Sequence, residues 1–324
     1  MVLTELRSVE PFRKGQPDNV FVCCANSEER CLGAVNRFSN YNFSNAFVFY
    51  YDEIELEAIS NLKLLESRLS LLGPTRTIRT AEDDPRDGIA ELYMALKSLL
   101  PDPTGNIITI DVSAFSKRHI LLLLKNLDKL GFWGSLRIVY SEPERYSSNL
   151  YLPMSVGIKR IDVVPGFVNL QSLGKPLLLI IMLGYEGDRA TALVHNIDPN
   201  ETLLAIPRPA YRKEWEGRTE EMNKNLIKLI GRENVIGLHS LDSDEVAISL
   251  RELLVSGKIN MLSEKNCCIV PLGTKPQTVG LYYFWREHQG QFEIQYASPF
   301  HVNEEFFSSG VGKTWLLHQP SNPE

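Results

Sequence analysis

Short apolar runs alternate with stretches that are apolar at helical spacing along the first half of this chain. Runs of β-branched and aromatic residues predict strands at 20–24, 46–51, 76–80, 106–113 and 136–140. The stretches between them predict helices at 26–38, 55–72, 83–100 and 114–130. Alternation of this kind is typical of parallel βαβ units. The first half therefore predicts a five-stranded, mostly parallel α/β layer that is complete by about residue 143.

The same pattern restarts in the second half. Apolar runs predict strands at 176–183, 202–206, 234–239, 267–271 and 292–296, with helices between them. One of these helices is predicted at 214–230, and another is predicted to begin after Asp242 as its cap. Four motifs recur about 159 residues later: 23–30 aligns with 182–189, Asp83 with Asp242, 110–113 with 270–273, and 138–143 with 294–299. Any two α/β layers share part of this pattern, but the near-constant offset and the paired Tyr-x-x-Pro ends favour an internal duplication.

The predicted fold class is α/β, with two tandem Rossmann-like repeats whose mostly parallel five-stranded sheets are related by a pseudo-twofold axis. The predicted divisions are a lead-in segment 1–19, a first repeat 20–143, a connecting arm 144–174, a second repeat 175–300 and a C-terminal tail 301–324. Duplicated layers pack as a homodimer would. Because ligands of open α/β sheets bind at the carboxyl ends of the strands, we expect one composite cleft lined by both repeats.

Composition and charge restrict the class of partner. The 324 residues are 44% hydrophobic and 23% charged with a net charge of -6, so extended nucleic-acid binding, which needs a basic face, is not expected. Charged residues near the start argue against a signal peptide, and the longest apolar run, 176–183, is too short to cross a bilayer. Five Cys without metal-type spacing fit a reducing cytoplasm. We expect a cytoplasmic protein with no membrane partner, metal or cofactor.

The sharpest candidate for ligand binding is the turn formed by Gly273, Thr274 and Lys275. It follows a predicted strand and opens a predicted helix. Backbone N–H groups at a helix start, together with a hydroxyl and an ammonium group, suit a phosphate. The alternative is a tight turn with a surface lysine.

Polar residues also follow the central strand of the first half. Asp111, Ser113 and Ser116 lie where strand 106–113 gives way to a helix. These side chains suit ribose hydroxyls or a phosphate. The alternative is that Ser113 or Ser116 is the helix N-cap.

Arg30 and Arg189 occupy matching positions after the first strand of each half, and Asn26 precedes Arg30 in the same segment. The two arginines have the chemistry to pair with anionic groups of a ligand. A structural ion pair that holds helix to sheet is the alternative. Asn26 is assigned to the ligand-binding set, with helix capping as its alternative role.

The sequence contains no complete copy of the common nucleotide-binding and catalytic motifs considered below. Gly310-Val-Gly-Lys-Thr314 resembles part of a Walker A loop, but Phe307 stands where the motif needs its first glycine, and no long helix follows. No Gly-x-Gly-x-x-Gly follows strand 20–24, and no Ser-His-Asp order or nucleophile elbow is visible. We therefore expect the tail to fold back near the cleft without binding ATP.

The Gly273-Thr-Lys-Pro276 turn, with its preceding strand and following helix, resembles the corresponding turn of CRISPR-associated Rossmann-fold sensor domains, known as CARF domains. The segment from Asp111 to Ser116 looks like a serine-bearing variant of that turn. The tandem arrangement is similar to SAVED domains, which look like two fused CARF units. One departure is that Val270-Pro-Leu precedes the glycine, where CARF turns usually have an Asn and a second Gly.

The resemblance implies a sensor of a nucleotide or cyclic oligonucleotide signal in prokaryotic antiviral defence. Such a sensor passes its signal to an effector or complex partner protein. Two alternatives stay open: an enzyme that cleaves a nucleotide-type substrate in the same cleft, and a non-catalytic structural subunit of a defence complex. An enzyme needs a positioned acid, base or nucleophile, and the sequence shows no activated candidate.

Overall fold

A computed structural model describes residues 3–52, 56–146, 155–185, 187–302 and 308–320. The chain forms two compact units. The first unit comprises Met1–Ser147 and Phe307–Glu324, and the second comprises Ser148–Phe306. The last segment of the chain therefore belongs to the first unit rather than forming a separate tail. Parts of the connecting arm (147–154) and of the tail (303–307 and 321–324) lie outside the described residues.

The first unit is an alternation of strands and helices. In chain order its elements are β1 (Thr4–Leu6), β2 (Asp18–Ala25), β3 (Phe43–Tyr51), α1 (Leu56–Leu69), β4 (Thr75–Thr80), α2 (Arg86–Leu99), β5 (Ile108–Asp111), α3 (Lys117–Lys129) and β6 (Leu136–Tyr146). Short 3-10 helices cover Glu29–Leu32, Val35–Arg37 and Trp133–Ser135. The four residues of β5 are all buried, as its run of β-branched residues predicts for a strand covered on both faces.

The second unit repeats this alternation. Its elements are β7 (Ser155–Val156), β8 (Arg160–Val163), β9 (Leu177–Met182), α4 (Gly187–Ile197), β10 (Glu201–Pro207), α5 (Arg218–Met222), α6 (Lys224–Ile230), β11 (Val235–Leu238), α7 (Ser243–Leu254), α8 (Met261–Glu264), β12 (Asn266–Pro271), α9 (Lys275–Glu287), β13 (Phe292–Ser298) and β14 (His301–Val302). Strand β15 (Ser308–His318) then returns to the first unit. Further 3-10 helices cover Lys213–Trp215 and Arg232–Asn234.

Each unit is built on one mostly parallel sheet. Within the described residues, the first sheet has seven strands in the order β1-β15-β6-β5-β2-β3-β4, and the second has six in the order β11-β10-β9-β12-β13-β8. Five strands of each sheet are parallel, and β1, β15 and β8 pair antiparallel. The mixed α/β, mostly parallel class is thus confirmed, with sheets larger than the five strands expected.

The parallel strands of the two sheets follow the same spatial order. Numbered along the chain within each unit, the order is 3-2-1-4-5 in both sheets. Strand five carries an antiparallel neighbour in each case, β15 beside β6 and β8 beside β13. The carboxyl ends of the parallel strands therefore lie at one edge of each sheet, and the loops that follow them line that edge.

Two predicted helices are wrong in detail. The helix expected at 26–38 is a pair of 3-10 helices around Gly33, where an added Cβ would lie 2.2 Å from Ser141 Oγ. This close approach to β6 fixes the local path of the chain. The helix expected at 214–230 is divided into a 3-10 helix, α5 and α6, because Gly217 has φ of +81° and Asn223 ends α5.

The residues of the Walker-like sequence lie in an extended strand. Gly310 to Thr314 belong to β15, which pairs antiparallel with β6. Lys313 Nζ forms an ion pair with Glu5 Oε2 at 2.8 Å. A phosphate-binding loop needs the start of a helix, and this segment has strand geometry instead. No helix in the described parts of the chain is long and apolar enough to cross a membrane.

Candidate functional site

The candidate ligand-binding residues lie at the carboxyl edges of the two sheets, as predicted from their positions after strands. Asn26 follows β2, and Asp111, Ser113 and Ser116 lie at the end of β5 or directly after it. The turn containing Gly273 to Lys275 follows β12 in the second unit. Whether the two edges share one cleft depends on how the units are arranged, and the composite cleft stays a prediction.

In the first unit, Asp111 and Ser113 form a buried network with β6. Asp111 Oδ1 accepts hydrogen bonds from the backbone N–H of Ser113 at 2.9 Å and from its hydroxyl. Ser113 Oγ in turn accepts from the backbone N–H of Ser141 at 2.7 Å. Ser141 Oγ lies 2.7 Å from Thr314 Oγ1 on β15. All four side chains are buried, so this network connects three neighbouring strands.

Ser116 is the N-cap of α3, which confirms the capping alternative for one of the two serines. Its side chain accepts from the backbone N–H of His119, and Ser116 Oγ lies 2.7 Å from His119 Nδ1. His119 Nε2 lies 3.0 Å from Thr80 Oγ1 at the end of β4. The imidazole thus joins the start of α3 to the neighbouring loop edge through two hydroxyl groups.

His119 is neutral at physiological pH. Burial, together with the positive charge of Arg118, lowers the pKa of His119 to about 3. A group with that pKa is a poor general base near neutral pH, because an effective base has a pKa near the working pH. The Ser116–His119 contact therefore holds the turn in place and does not constitute an activated nucleophile.

Tyr51 and Asn26 cover the same turn. The backbone N–H of Ser116 donates to the Tyr51 hydroxyl at 2.8 Å, and the Tyr51 ring packs edge-on against His119 at 5.2 Å. Asn26 Nδ2 and the Tyr51 hydroxyl both lie 3.4 Å from the carbonyl oxygen of Ala114. The backbone N–H of Ser116 and the carbonyl oxygen of Ala114 are thus bonded to side chains of the protein itself.

Arg30 forms a structural ion pair, which was the alternative to ligand binding for this residue. Its guanidinium is buried, donates to Glu28 Oε1 at 2.6 Å, and donates to the Tyr140 hydroxyl on β6 at 3.1 Å. Glu28 also accepts a hydrogen bond from the Ser308 hydroxyl on β15. These contacts tie the 3-10 segment to strands β6 and β15.

Arg189 plays a comparable part in the second unit. Its guanidinium donates to Ser155 Oγ at 2.9 Å and to the carbonyl oxygen of Ala297 at 2.6 Å. Ala297 lies on β13, the fifth parallel strand of the second sheet. Tyr140 lies on β6, the fifth parallel strand of the first sheet. Each arginine therefore reaches from the segment after strand one to strand five of its own sheet.

In the second unit, Thr274 caps α9 with a complete capping box. Its hydroxyl accepts from the backbone N–H of Gln277, while the Gln277 side chain accepts from the backbone N–H of Thr274 at 2.9 Å. The Thr274 hydroxyl donates to the carbonyl oxygen of Ser240 at 2.6 Å, in the loop after β11. Pro276 follows Lys275 at the start of the helix, a position that suits a residue lacking an N–H group.

The turns after β9 and β12 touch each other. An added Cβ on Gly184 would lie 2.6 Å from the carbonyl oxygen of Leu272, so only glycine fits there without movement. Asn223 holds the β9 turn from the other side, with Nδ2 donating to the carbonyl oxygens of Gly184 at 2.9 Å and Thr219 at 2.8 Å. Gly187, which opens α4, packs directly against Met222 and Asn223.

Several important contacts escaped the sequence analysis. His119 and Gln277 occupy the same third helical position after their N-caps, and each side chain reaches the end of strand three of its sheet. Lys117 and Lys275 are both the first helical residue. For Gln277 a signal was available, because Thr followed three residues later by Gln is a recognised helix start.

The described residues contain neither a cluster of metal ligands nor a reactive cysteine. No group of three or more His, Cys, Asp or Glu side chains there could hold a metal ion. All five Cys are described, buried and free of disulfide bonds. Burial raises the pKa of Cys31 to about 12 and that of Cys267 to about 11, so both thiols are protonated and inert at neutral pH.

No family model and no curated protein matches this chain. Among solved structures, the chain is similar to the cytoplasmic domain of a prokaryotic cation chloride cotransporter. The match has 10% sequence identity and a TM-score of 0.23, and it covers 88% of this chain and 96% of that chain. A similarity at this TM-score carries no argument about the fold or function of the chain.

Proposed function

We propose that this chain is a CARF- or SAVED-like sensor that binds a nucleotide or cyclic oligonucleotide and acts in the cytoplasm in prokaryotic antiviral defence. One observation carries the proposal. In each unit a Ser or Thr N-cap followed by Lys lies directly after the fourth parallel strand, at the carboxyl edge of the sheet. This is the position at which open α/β sheets bind ligands.

An internal duplication of Rossmann-like repeats is the finer part of the proposal. The common 3-2-1-4-5 strand order supports it. The matching third-position contacts of His119 and Gln277 support it independently, as do the contacts of Arg30 and Arg189 with strand five. Unrelated α/β layers share the alternation of strands and helices, but they are not expected to share side-chain contacts at matching positions.

The proposed anion site is the turn at Gly273, Thr274 and Lys275. These three residues are half-exposed, whereas Asp111 and Ser113 in the first unit are buried. Lys275 adds a full positive charge where the α9 dipole is also positive, and both favour an anion. Thr274 contributes by fixing the helix start, since its hydroxyl is already engaged on both sides.

Binding is favoured over catalysis by the state of the candidate nucleophile. The hydroxyls of Ser116 and Thr80 both contact His119, and the pKa of that histidine, about 3, makes it too weak a base to activate either of them at neutral pH. A sensor needs no base, only a shaped anion site and a partner to which the signal passes. An effector or complex partner protein completes the proposed function.

Calorimetric titration of the full chain with a panel of cyclic oligonucleotides tests the proposal. Lys275→Ala should weaken binding by roughly 1.5–3 kcal/mol, the range for a hydrogen bond to a charged group. Lys97→Ala, an exposed lysine in the last turn of α2, is the control and should bind like the wild type. Equal affinities of wild type and Lys275→Ala would remove the phosphate role.

Thr274→Val is a test of stability rather than of binding. The variant loses the capping box and the bond to Ser240, so we expect the free energy of unfolding to fall by about 1–2 kcal/mol. Thermal melts of Thr274→Val without ligand measure the effect.

A further inference from the structure

We infer that the outer face of helix α1 is a self-association surface, on which α1 of a second copy of this chain docks in the antiparallel direction. The outer face consists of five residues that follow one side of the helix at spacings of three and four: Leu56, Ser60, Leu64, Ser67 and Leu71. This inference concerns the first unit alone and does not depend on the proposed ligand site.

The outer face carries leucine side chains that the protein itself leaves uncovered. Leu56 is 78% exposed, Leu64 is 41% exposed and Leu71 is 86% exposed. The buried residues of α1 follow the opposite side of the helix: Ala58, Asn61, Leu65 and Leu69. Single exposed leucines are ordinary on a protein surface, but a row of them along one side of a helix marks a contact surface.

The helical path extends far enough to keep Leu71 on this side. The backbone N–H of Ser70 donates to the carbonyl oxygen of Glu66 at 3.0 Å, and that of Gly73 donates to the carbonyl oxygen of Leu69 at 3.1 Å. Both bonds span four residues, as in an α-helix. The outer face therefore continues for one turn beyond the end of α1.

The two serines of the outer face have hydroxyl groups that are bonded within the helix. Ser60 Oγ donates to the carbonyl oxygen of Leu56 at 3.1 Å, and Ser67 Oγ donates to the carbonyl oxygen of Leu64 at 3.0 Å. Covering a hydroxyl is costly when it has no hydrogen bond in its new surroundings. These bonds persist when the face is covered, and the small serines leave room for leucines of a facing helix.

The charges beside the outer face match an antiparallel copy of the same helix. Glu57 lies in the first turn of α1 and Arg68 in its last turn, and a rotation of about 100° per residue places both on the same flank of the outer face. In two antiparallel helices related by a twofold axis through the middle of this face, Leu56 of one copy lies opposite Leu71 of the other. Glu57 then lies opposite Arg68 of the other copy, and the pair occurs twice.

Both charged groups are available for such a pair. Glu57 forms no ion pair with another residue that the structure describes, and Arg68 donates to the side-chain oxygen of Asn36, which is uncharged. Glu57 and Arg68 are eleven residues apart, or about 16 Å along the helix. In a parallel pair of helices they would be too far apart to meet, so the charges favour the antiparallel arrangement.

The first test is the oligomeric state of the full chain by sedimentation equilibrium. One helix face buries less than the roughly 800 Å² per partner of a standard interface, so we expect a weak dimer that forms between about 1 and 300 μM. The 36.7 kDa monomer should give way to a species of twice that mass as the concentration rises. A chain that stays monomeric throughout this range would overturn the inference.

Leu71→Ser and Leu173→Ser locate the surface. Leu71→Ser should weaken dimerisation roughly ten- to hundredfold, because the dimer covers this leucine twice. Leu173 is fully exposed in the second unit and away from α1, so Leu173→Ser is the matched control and should dimerise like the wild type. Equal dimerisation of the two variants would place the interface elsewhere and overturn the inference.

Charge reversal tests the antiparallel direction. Glu57→Arg and Arg68→Glu should each weaken dimerisation, because like charges then face each other on both sides of the axis. The double variant should dimerise again, and an equimolar mixture of the two single variants should form a mixed dimer, since opposite charges meet in both cases. Thermal melts check that each variant is folded. If the double variant and the mixture dimerise no better than the single variants, the antiparallel pairing is wrong.

Discussion

Replacing His119 with Gln tests whether a buried neutral imidazole makes the protein sensitive to acid. His119 is fully buried and its pKa is lowered to about 3, against 6.5 for an ordinary histidine. Gln is the natural residue at the corresponding position of the second unit, where Gln277 completes the capping box of α9. The variant therefore keeps a polar side chain that fits this helix start and removes only the titrating ring.

The sign of the effect follows from the direction of the pKa shift. Because the folded state holds His119 neutral, its contribution to stability is complete above pH 6.5 and is lost as the pH falls toward 3. At pH 4.5 the unfolded chain has bound the proton and the folded chain has not. The wild type then loses about 3 kcal/mol of unfolding free energy relative to pH 8 through this residue.

Urea unfolding of wild type and His119→Gln between pH 8 and pH 4.5 measures this contribution. At pH 8 the variant should be less stable, because it loses the ring contacts with Tyr51 and Phe115. As the pH falls, the difference in unfolding free energy between the two proteins should shrink by about 3 kcal/mol, because only the wild type has a histidine that titrates at this position. Other titrating groups are common to both proteins and cancel. Parallel stability curves would refute a neutral buried His119.

Three further changes test the framework around the site. Glu28→Gln should lower the unfolding free energy by about 3–5 kcal/mol in urea titrations, because it leaves the buried charge of Arg30 without its partner; a loss under 1 kcal/mol would contradict this. Gly187→Ala should lower the melting temperature, since its Cβ would lie 2.2 Å from the carbonyl oxygen of Met222, and an unchanged melt would show that the turn relaxes freely. Lys313→Ala should leave ATP titrations unchanged, because Lys313 lies in a strand; a loss of measurable ATP affinity would count against that.

Local sequence pattern was sufficient to predict the α/β class with mostly parallel sheets and most of the elements. The run ending at Asp111 predicted a buried strand, and Ser116 and Asp242 predicted helix caps that the structure contains. These features depend on residues that are close together along the chain. Their periodicity and capping chemistry are therefore visible without the tertiary structure.

The candidate site was predicted only as a set of positions after strands. Pattern placed Thr274 and Lys275 at a helix start, but the engagement of Thr274 with Ser240, 34 residues away, was not visible in the sequence. The same holds for His119, whose partner Thr80 lies 39 residues away. Which polar groups of these turns are satisfied, and by which partners, depends on these long-range contacts.

The sequence by itself determined that this chain alternates strands and helices, and that residues with anion-binding chemistry follow the parallel strands. Only the tertiary structure decided that the segment after β2 forms 3-10 helices and that the C-terminal segment is a strand of the first sheet. Glu28 and Ser308 meet across 280 residues of chain. Hydrogen bonds between residues this far apart in the sequence form only where folding brings their elements together. No local pattern of hydrophobic and polar residues encodes them.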